Sequence, residues 1–307
     1  MNNRPEISVI IVNWNTEELL RKCLRSVENH VGTQERETLV IDNNSSDGSV
    51  EMIKNEFPGV NLIRNADNRG FAAGVNQGLH ASTGLHVLLI NSDARIEDGV
   101  VQIMMQYLAT GKNVGIVGPG LIYPGGIPQE RAAGYEINLW NLASHYLVLD
   151  KLFPFSMVFR GIYIRKCDSP TSVAWVSGCA MLFRREVFEQ IGPFDERLFM
   201  YMEDVDYCSR ARDKGFDVHY LPYIHVIHES GASLQDELPD GSCGTYISYI
   251  RSRRGSIAGQ AALCITVVGF SLRLLVYGLC GLFGRGKGRF GMTWKYFMLS
   301  IRRGGDC

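Results

Sequence analysis

This 307-residue chain lacks several common devices for binding a nucleotide or a structural metal. Its first apolar run, ISVIIV, leads into NWNTEE and not into a G-x-G-x-x-G turn, which excludes a dinucleotide-binding dehydrogenase. No G-x-x-x-x-G-K-[ST] occurs, which excludes a P-loop. The eight cysteines (Cys23, Cys167, Cys179, Cys208, Cys243, Cys264, Cys280 and Cys307) form no C-x-x-C pair or other zinc spacing. They read as small core residues in a reducing compartment. The N-terminal MNNRPEISVIIVNWN holds only a short apolar run, too short for a signal peptide, so the body is expected in the cytoplasm. Internal repeats and low-complexity runs are absent.

The formal net charge of −1 conceals an asymmetry. From Arg251 to Cys307 there are ten lysines and arginines against one acidic residue, Asp306, while the first 250 residues hold 21 basic and 31 acidic groups. A basic tail on an acidic body points to an anionic surface as partner, a membrane before a nucleic acid. Residues 257–283 are apolar apart from Gln260, Thr266, Ser271 and Arg273. Roughly 20 such residues span a bilayer, but Arg273 is costly at its centre. The first reading is an in-plane helix or re-entrant hairpin. A true span and a helix packed on the body or a partner subunit are the alternatives. The flanking RSRR and GRGKGR fit headgroup contacts.

The body alternates strand and helix patterns. Ile7–Val12, the run ETLVID ending at Asp42, VNLIRN, Val87–Ile90 and VGIVGP read as strands. Between them stand NTEELLRKCLRSVEN, with Thr16 as a plausible cap, SVEMIKNEF, a helix from Phe71, and DGVVQIMMQYLAT. This alternation specifies a doubly wound, mostly parallel α/β sheet. Residues 121–172 read as an irregular insertion. VAWVSGCAMLFRREVFEQIG is a strand and a short helix, MEDVDYCSRARDKG a helix closed by Gly215, and DVHYLPYIHVIHESGAS edge strands and a loop. The division expected is 1–235 for the main domain and 236–307 for a basic, apolar helical extension.

One stretch poses the functional question. In VLLINSDARIED the apolar run stops at Asn91-Ser92-Asp93, which places Asp93 just past a strand's carboxyl end, where ligands bind in open α/β sheets. Asp93 could hold a divalent cation, or cap a helix beginning near Glu97. Glu203 and Asp204 open a helix, where acids also favour the dipole. Asp206 reads as a surface acid of that helix. His225 and His228 turn to opposite faces of a strand, so an HxxH metal pair is not expected. Arg251, Arg253 and Arg254 read as a solvated basic face.

The segments ISVIIVNWN, VIDNNSSDGS, NRGFAAGVNQG, LLINSDARIE, WVSGCAMLFRRE, GPFDERLFMYMEDVDYCSRARDKG and HESGAS, in this order, resemble the family-2 glycosyltransferases over about residues 5–235. Among them the chain looks most like bacterial rhamnosyltransferase-type enzymes of surface polysaccharide assembly, O-antigen included. The resemblance implies the GT-A fold, a nucleotide-sugar donor and inversion at the anomeric carbon. It places Trp14 against the nucleotide base, Asp42 and Asn43 at base and ribose, and Asn68, Gly70, Gly74 and Asn76 in a loop near the donor diphosphate. It matches Asp93 to the last carboxylate of a D-x-D motif, which contacts the metal, and His228 to a histidine that completes that site in some members. Asp204 matches the catalytic base, with Glu203 beside it. Trp175 and Gly178 are candidates for the acceptor side, Trp175 being equally a core residue.

Chemistry asks for these residue types. A departing nucleoside diphosphate develops negative charge that Mg²⁺ or Mn²⁺ can meet. A neutral sugar hydroxyl needs a carboxylate to take its proton. Asn91 stands where the fuller motif has its first acid, which implies weaker, donor-dependent metal binding. The reading is an inverting glycosyltransferase moving rhamnose from a dTDP-linked (or a UDP-linked) donor to a lipid-linked or growing polysaccharide acceptor. It would sit at the inner face of the cytoplasmic membrane as a peripheral protein. The alternatives are a non-catalytic nucleotide- or glycan-binding subunit, supported by Asn91 alone, and a nucleic-acid contact by the tail. Whether it forms a homo-oligomer stays open.

Overall fold

The computed structural model describes residues 4–32, 36–165, 167–198, 201–229 and 242–282. The end of HESGAS, Phe199-Met200 within the FDERLFMY run, and GRGKGR lie outside them. Two compact units emerge, Met1–Gly134 with Arg165–Gln235, and Tyr135–Ile164 with Asp236–Cys307. Part of the segment read as an irregular insertion therefore clusters with the C-terminal helices.

The first unit begins with β1 (Ile7–Asn13), α1 (Glu17–His30), β2 (Arg36–Asp42), α2 (Ser49–Glu56), β3 (Asn61–Arg64), α3 (Phe71–Ala81) and β4 (His86–Ile90). Then come β5 (Ala94–Ile96), α4 (Val100–Thr110), β6 (Val114–Ile122) and β7 (Ala133–Gly134). The second unit inserts α5 (Leu139–Tyr146) and α6 (Leu149–Leu152). The first resumes with β8 (Thr171–Ser172), β9 (Trp175–Val176), β10 (Ala180–Arg184), α7 (Arg185–Ile191), α8 (Glu203–Asp213) and β11 (Asp217–His228). Helices α9 (Ser242–Arg254) and α10 (Ser256–Leu282) complete the second.

The main sheet runs β3-β2-β1-β4-β10-β6-β11-β5, with β8 paired to β11. β1, β2, β3 and β4 are mutually parallel, as are β6 and β11, whereas β10 is antiparallel to both β4 and β6. Alternation along β1 separates two layers. Ile7, Val9 and Ile11 join the core built with Leu20, Cys23, Leu24 and Val27 of α1, the i, i+3, i+4, i+7 face that the sequence shows. Each such buried aliphatic contributes about 1.5–3 kcal/mol. Ile10 and Val12 face α3 instead, where a Cβ at Gly78 would meet Ile10 Cγ2 at 2.5 Å and one at Gly74 would meet Val12 Cγ1 at 2.9 Å. The two glycines let the helix lie directly on the strand.

Several expectations change. The helix after Asp93 starts only at Val100, with Gly99 in the left-handed region as its cap, because Ala94–Ile96 first pairs with Val226–His228. Asp93 is thus not a helix cap. β11 is one 12-residue strand between β6 and β5, not a set of edge strands, and irregularities at Val218 and His225 let it bend. VAWVSGCAMLFR splits in two: β9 pairs with β7 in a separate small sheet, and β10 enters the main one. In the second unit α10 is a single continuous helix, so the re-entrant hairpin is not formed.

Candidate active site

The carboxyl ends of β1, β2 and β4 meet in one polar network. Asn13, the last residue of β1, donates from Nδ2 to Asp42 Oδ2 at 2.9 Å. The other Asp42 oxygen accepts the Ser45 N–H at 3.0 Å. Thr16 Oγ1 donates to Asn13 Oδ1 at 2.7 Å and lies 2.8 Å from Ser92 Oγ. Asn13, Thr16 and Asp42 are buried, as is Ser92 beside Asp93. Thr16 therefore spans the network and makes no side-chain cap bond to α1; Asp47 accepts the Glu17 N–H instead. Trp14 follows Asn13 and is 37% exposed, a ring open at the strand end and not core.

Next to this network lies the turn that opens α3. Asn43 donates from Nδ2 to Gly70 O at 3.1 Å and accepts from Asn65 Nδ2 at 2.8 Å. Asn68 Oδ1 accepts the Gly70 N–H at 3.0 Å, and Gly70 takes φ +83°, which glycine adopts without strain. Gly74 and Asn76 belong to the body of α3. Packing on Val12 accounts for Gly74, and Asn76 clamps another segment: its Nδ2 donates to Phe194 O at 3.0 Å and Glu196 Oε1 at 2.9 Å, and its Oδ1 accepts the Phe194 N–H at 2.8 Å. The diphosphate-loop candidates thus divide into a turn, Asn68 and Gly70, and a helix interior, Gly74 and Asn76.

Asp93 and His228 come together from distant parts of the first unit's sequence. His228 Nε2 stands 3.3 Å from Asp93 Oδ1, and the Glu229 N–H donates to Asp93 O at 3.0 Å. Gln129 fixes the ring, its Oε1 2.9 Å from Nδ1 while its Nε2 donates to His228 O at 2.7 Å. Burial works against a charged His228, but its neighbours Cys179 and Asp93 outweigh it and push the imidazole up to about 11. Burial also raises the Cys179 thiol. Asn91 donates its N–H to Cys179 O at 2.9 Å, and its Oδ1 is buried with no hydrogen-bond partner.

This donor set fits a hard divalent cation held in part by the protein. One carboxylate oxygen, one imidazole nitrogen that would have to give up its proton to a bound cation, and an orphaned amide oxygen nearby in sequence are ligand types that Mn²⁺ and Mg²⁺ accept. Among the described residues no group of three or more His, Cys, Asp or Glu side chains could hold a metal by itself. Donor oxygens and water would have to complete the shell.

The acidic pair stands at the start of α8. Tyr201 and Met202, both with positive φ, form the tight turn that precedes it. Asp204 Oδ2 accepts the Gly178 N–H at 3.0 Å, and Oδ1 accepts the Val205 N–H at 2.8 Å. A Cβ on Gly178 would lie 3.5 Å from both Asp204 Cβ and Phe71 Cε1, so this glycine touches the base candidate and the first residue of α3. Burial raises the Asp204 carboxyl, and the two N–H donors oppose it. Glu203 is 7% exposed, its Oε2 has no partner, and burial followed by the charge of Asp204 holds its carboxyl well above the ordinary range. Asp206 is not a surface acid: it is 8% exposed and bonds Arg210 Nε at 2.7 Å, while Arg210 also donates to Ile191 O and Pro193 O. Trp175, 5% exposed, is a core side chain with little ring surface for an acceptor.

Gly178-Cys179 is the link between these groups, since Gly178 holds Asp204 and Cys179 neighbours His228 and Asp93. Asn13, Ser92, Cys179 and Gln129 were missed in the sequence reading. The polar run NWNT at a strand end was the one signal for Asn13.

The sequence profile of Glycosyl transferase family 2 matches residues 8–192, more than half of the chain. N-acetylglucosaminyl-diphospho-decaprenol L-rhamnosyltransferase of Mycobacterium tuberculosis is 28% identical over 211 residues, 64% of this chain and 67% of that protein. The dTDP-rhamnosyl transferase RfbF of Shigella flexneri is 23% identical over 228 residues, 73% of this chain and 69% of that protein. Among solved structures, the mannosyltransferase PcManGT from Pyrobaculum calidifontis, in complex with GDP-Man and Mn²⁺, superposes with TM-score 0.60 at 16% identity, covering 98% of this chain and 87% of that one. GalNAc-T7 with UDP, GalNAc and Mn²⁺ superposes with TM-score 0.56 at 18% identity over 74% of this chain, which spans 44% of that protein. The chain belongs to glycosyl transferase family 2 and is a glycosyltransferase with the GT-A fold.

Proposed function

We propose that the enzyme moves rhamnose from a dTDP-linked donor to a hydroxyl of a lipid-linked or growing polysaccharide acceptor, with inversion at the anomeric carbon. The observation that carries the reaction type is the Asp204 carboxylate, oriented by the Gly178 N–H one residue from Cys179, which neighbours the Asp93–His228 pair. The sugar and the acceptor rest on the relatives, whose names include rhamnosyl transfer from dTDP-rhamnose and to a diphospho-decaprenol.

Asp204 takes the proton of the acceptor hydroxyl as its oxygen bonds to the anomeric carbon. The bond to the diphosphate oxygen breaks on the opposite side, and the nucleoside diphosphate leaves with the electron pair. A raised carboxyl suits this task, because a base is most effective when its pKa lies near the working pH. Asp93 and His228 would hold Mg²⁺ or Mn²⁺, which supplies positive charge to the leaving diphosphate. Trp14 supports the base, with Asn43, Asn68 and Gly70 toward ribose and diphosphate, and Asp42 positions the network from beneath.

The second unit supports a peripheral attachment to the inner face of the cytoplasmic membrane. α10 is long and apolar enough to cross a bilayer, from Ser256 to Tyr277. One of its faces packs Gly259, Ala262, Thr266, Gly269 and Phe270 inward, with Arg273 donating to His145 O at 2.9 Å. A spanning helix would take this polar contact into hydrocarbon, so lying in the interface is the favoured arrangement.

The test is thermal denaturation with dTDP, UDP and GDP, each with and without Mn²⁺, followed by transfer assays with the stabilising donor. A nucleotide at about 100 times its Kd adds about 2.7 kcal/mol. Stabilisation by dTDP that grows with Mn²⁺ is the expected result. A preference for GDP or UDP would overturn the donor, and no response to any nucleotide would overturn the site.

A further inference from the structure

The second unit carries an exposed apolar tip that the proposed reaction does not use. From the last two residues of α6 onward the chain reads Lys151-Leu-Phe-Pro-Phe-Ser-Met-Val-Phe-Arg160, eight uncharged residues between two cations. Phe155 is 86% exposed, Met157 74% and Leu152 66%, with Phe153 and Val158 also exposed. The tip is built, not loose. Phe159 stacks on Trp140 at 5.8 Å between ring centroids and meets Phe153 at 5.4 Å, and Trp140 Nε1 donates to Val158 O at 2.8 Å. Ser156 Oγ accepts the N–H groups of Val158 and Phe159, both at 3.1 Å. The backbone of the turn is therefore satisfied internally while its apolar side chains face outward, an arrangement that is costly in water.

Charge argues for what covers it. Lys151 is exposed and Arg160 half-exposed, one at each end of the apolar run, whereas Asp150, the acid beside Lys151, is buried. The tip thus shows aromatic and aliphatic side chains rimmed by positive charge, with Trp140 at its base. That combination matches the boundary between anionic headgroups and acyl chains, where aromatic rings sit at headgroup depth and lysines reach the phosphates. The same unit holds the outer stripe of α10, with Ile257, Val268, Leu272, Leu275 and Val276 exposed at helical spacing.

We infer that residues 152–158 form a wedge that inserts into the headgroup–acyl boundary of an anionic bilayer, a second membrane contact apart from the C-terminal helix. The inference rests on the membrane-associated reading above and names the element that makes the contact. The wedge anchors the enzyme without sealing the bilayer and takes no part in chemistry.

The experiment is flotation of the full chain with phosphatidylcholine vesicles, with and without phosphatidylglycerol. Wild type is compared with the triple variant Phe155→Ser, Met157→Ser, Val158→Ser, and with Lys151→Gln. The triple variant should lose roughly tenfold or more in partitioning, about 1.4 kcal/mol by the affinity relation. Lys151→Gln should lose binding only to the anionic vesicles. Melting temperature and transfer to a soluble acceptor should match wild type in both. A triple variant that floats like wild type overturns the wedge, as does a wild type that ignores vesicles. A wild-type dimer that the triple variant converts to monomer, with vesicle binding unchanged, assigns the tip to self-association and also overturns it. Wild type that floats but transfers no sugar leaves the wedge standing and removes the proposed reaction.

Discussion

The Asp204 carboxylate accepts the backbone N–H of Gly178 at 3.0 Å, across 26 positions of sequence. With its other oxygen held by the Val205 N–H, the side chain is thereby tied to the main chain just ahead of β10. Asp204→Asn keeps the size and one acceptor oxygen but removes the base. Turnover should fall by about 10²–10⁴-fold, while the nucleotide-induced rise in melting temperature stays. Steady-state kinetics beside thermal denaturation separates the two, and wild-type turnover would remove Asp204 from the role.

The ring of His228 is held on one side by Gln129 and faces Asp93 on the other. Gln129→Ala should leave both donors present but poorly aimed, weakening Mn²⁺ binding in the presence of nucleotide by about 10–100-fold. Asp93→Asn should lose the metal-dependent share of the nucleotide stabilisation altogether. Titrating Mn²⁺ at fixed dTDP and following melting temperature reads both effects. If Asp93→Asn keeps a normal Mn²⁺ response, the cation is held elsewhere.

Glu203 gives a pH dependence of definite sign. Its carboxyl is raised from an ordinary 4.5 by burial first and the charge of Asp204 second. Above pH 4.5 the unfolded chain releases this proton while the folded one keeps it, so the folded state binds more protons and stability falls as pH rises. The loss approaches about 1.4 kcal/mol per pH unit until the folded group itself ionises. Glu203→Gln removes the ionisation. Its melting temperature should gain on wild type steadily from pH 4.5 toward neutrality, measured by calorimetry across that range. A constant difference between the two proteins would mean that Glu203 ionises normally in the fold.

Helix α3 rests on β1 through glycine, and propensity alone misjudges it. Replacing a helical glycine by alanine ordinarily stabilises by up to about 1 kcal/mol. At Gly78 the new Cβ would stand 2.5 Å from Ile10 Cγ2, so overpacking should reverse the sign and destabilise by about 1–3 kcal/mol. Gly74→Ala, with its closest approach 2.9 Å to Val12 Cγ1, should be the milder of the two. Denaturant midpoints decide this, and a stabilised Gly78→Ala would show that the strand yields.

The parallel half of the sheet was legible because buried strands such as Val87–Ile90 and amphipathic helices such as α1 have periodicities that local sequence fixes. What escaped was decided by partners far away in the chain. Ala94–Ile96 looked like the approach to a helix, and became a strand only through β11, more than a hundred residues later. Asp206 looked like a solvated acid because its helix starts with three acids, and Arg210 together with the carbonyls of Ile191 and Pro193 drew it inside. At the site, motif order pointed to Asp93, His228 and Asp204. No pattern pointed to Gln129 or Cys179, because a glutamine that aims a ring, or a cysteine that bridges two clusters, has no local signature. Residues 135–164 carry few regular repeats, and their place with the C-terminal helices follows from packing that no window of sequence contains.

The position of β10 also governs how the molecule comes into being. It lies between β4 and β6 and runs against both, so the middle of the sheet is filled by a late segment. A nascent chain that has left the ribosome as far as β4 ends in an open edge whose permanent neighbour is about 90 residues downstream. β6 emerges first and has to wait for that neighbour, a long-range closure of the slow kind. Until then the exposed β4 edge is the stretch most open to wrong pairing. The Asp93–His228 contact joins only after residue 228 has been made. The first half of this enzyme is a scaffold under construction, and the candidate site exists only once nearly all of the first unit has been translated.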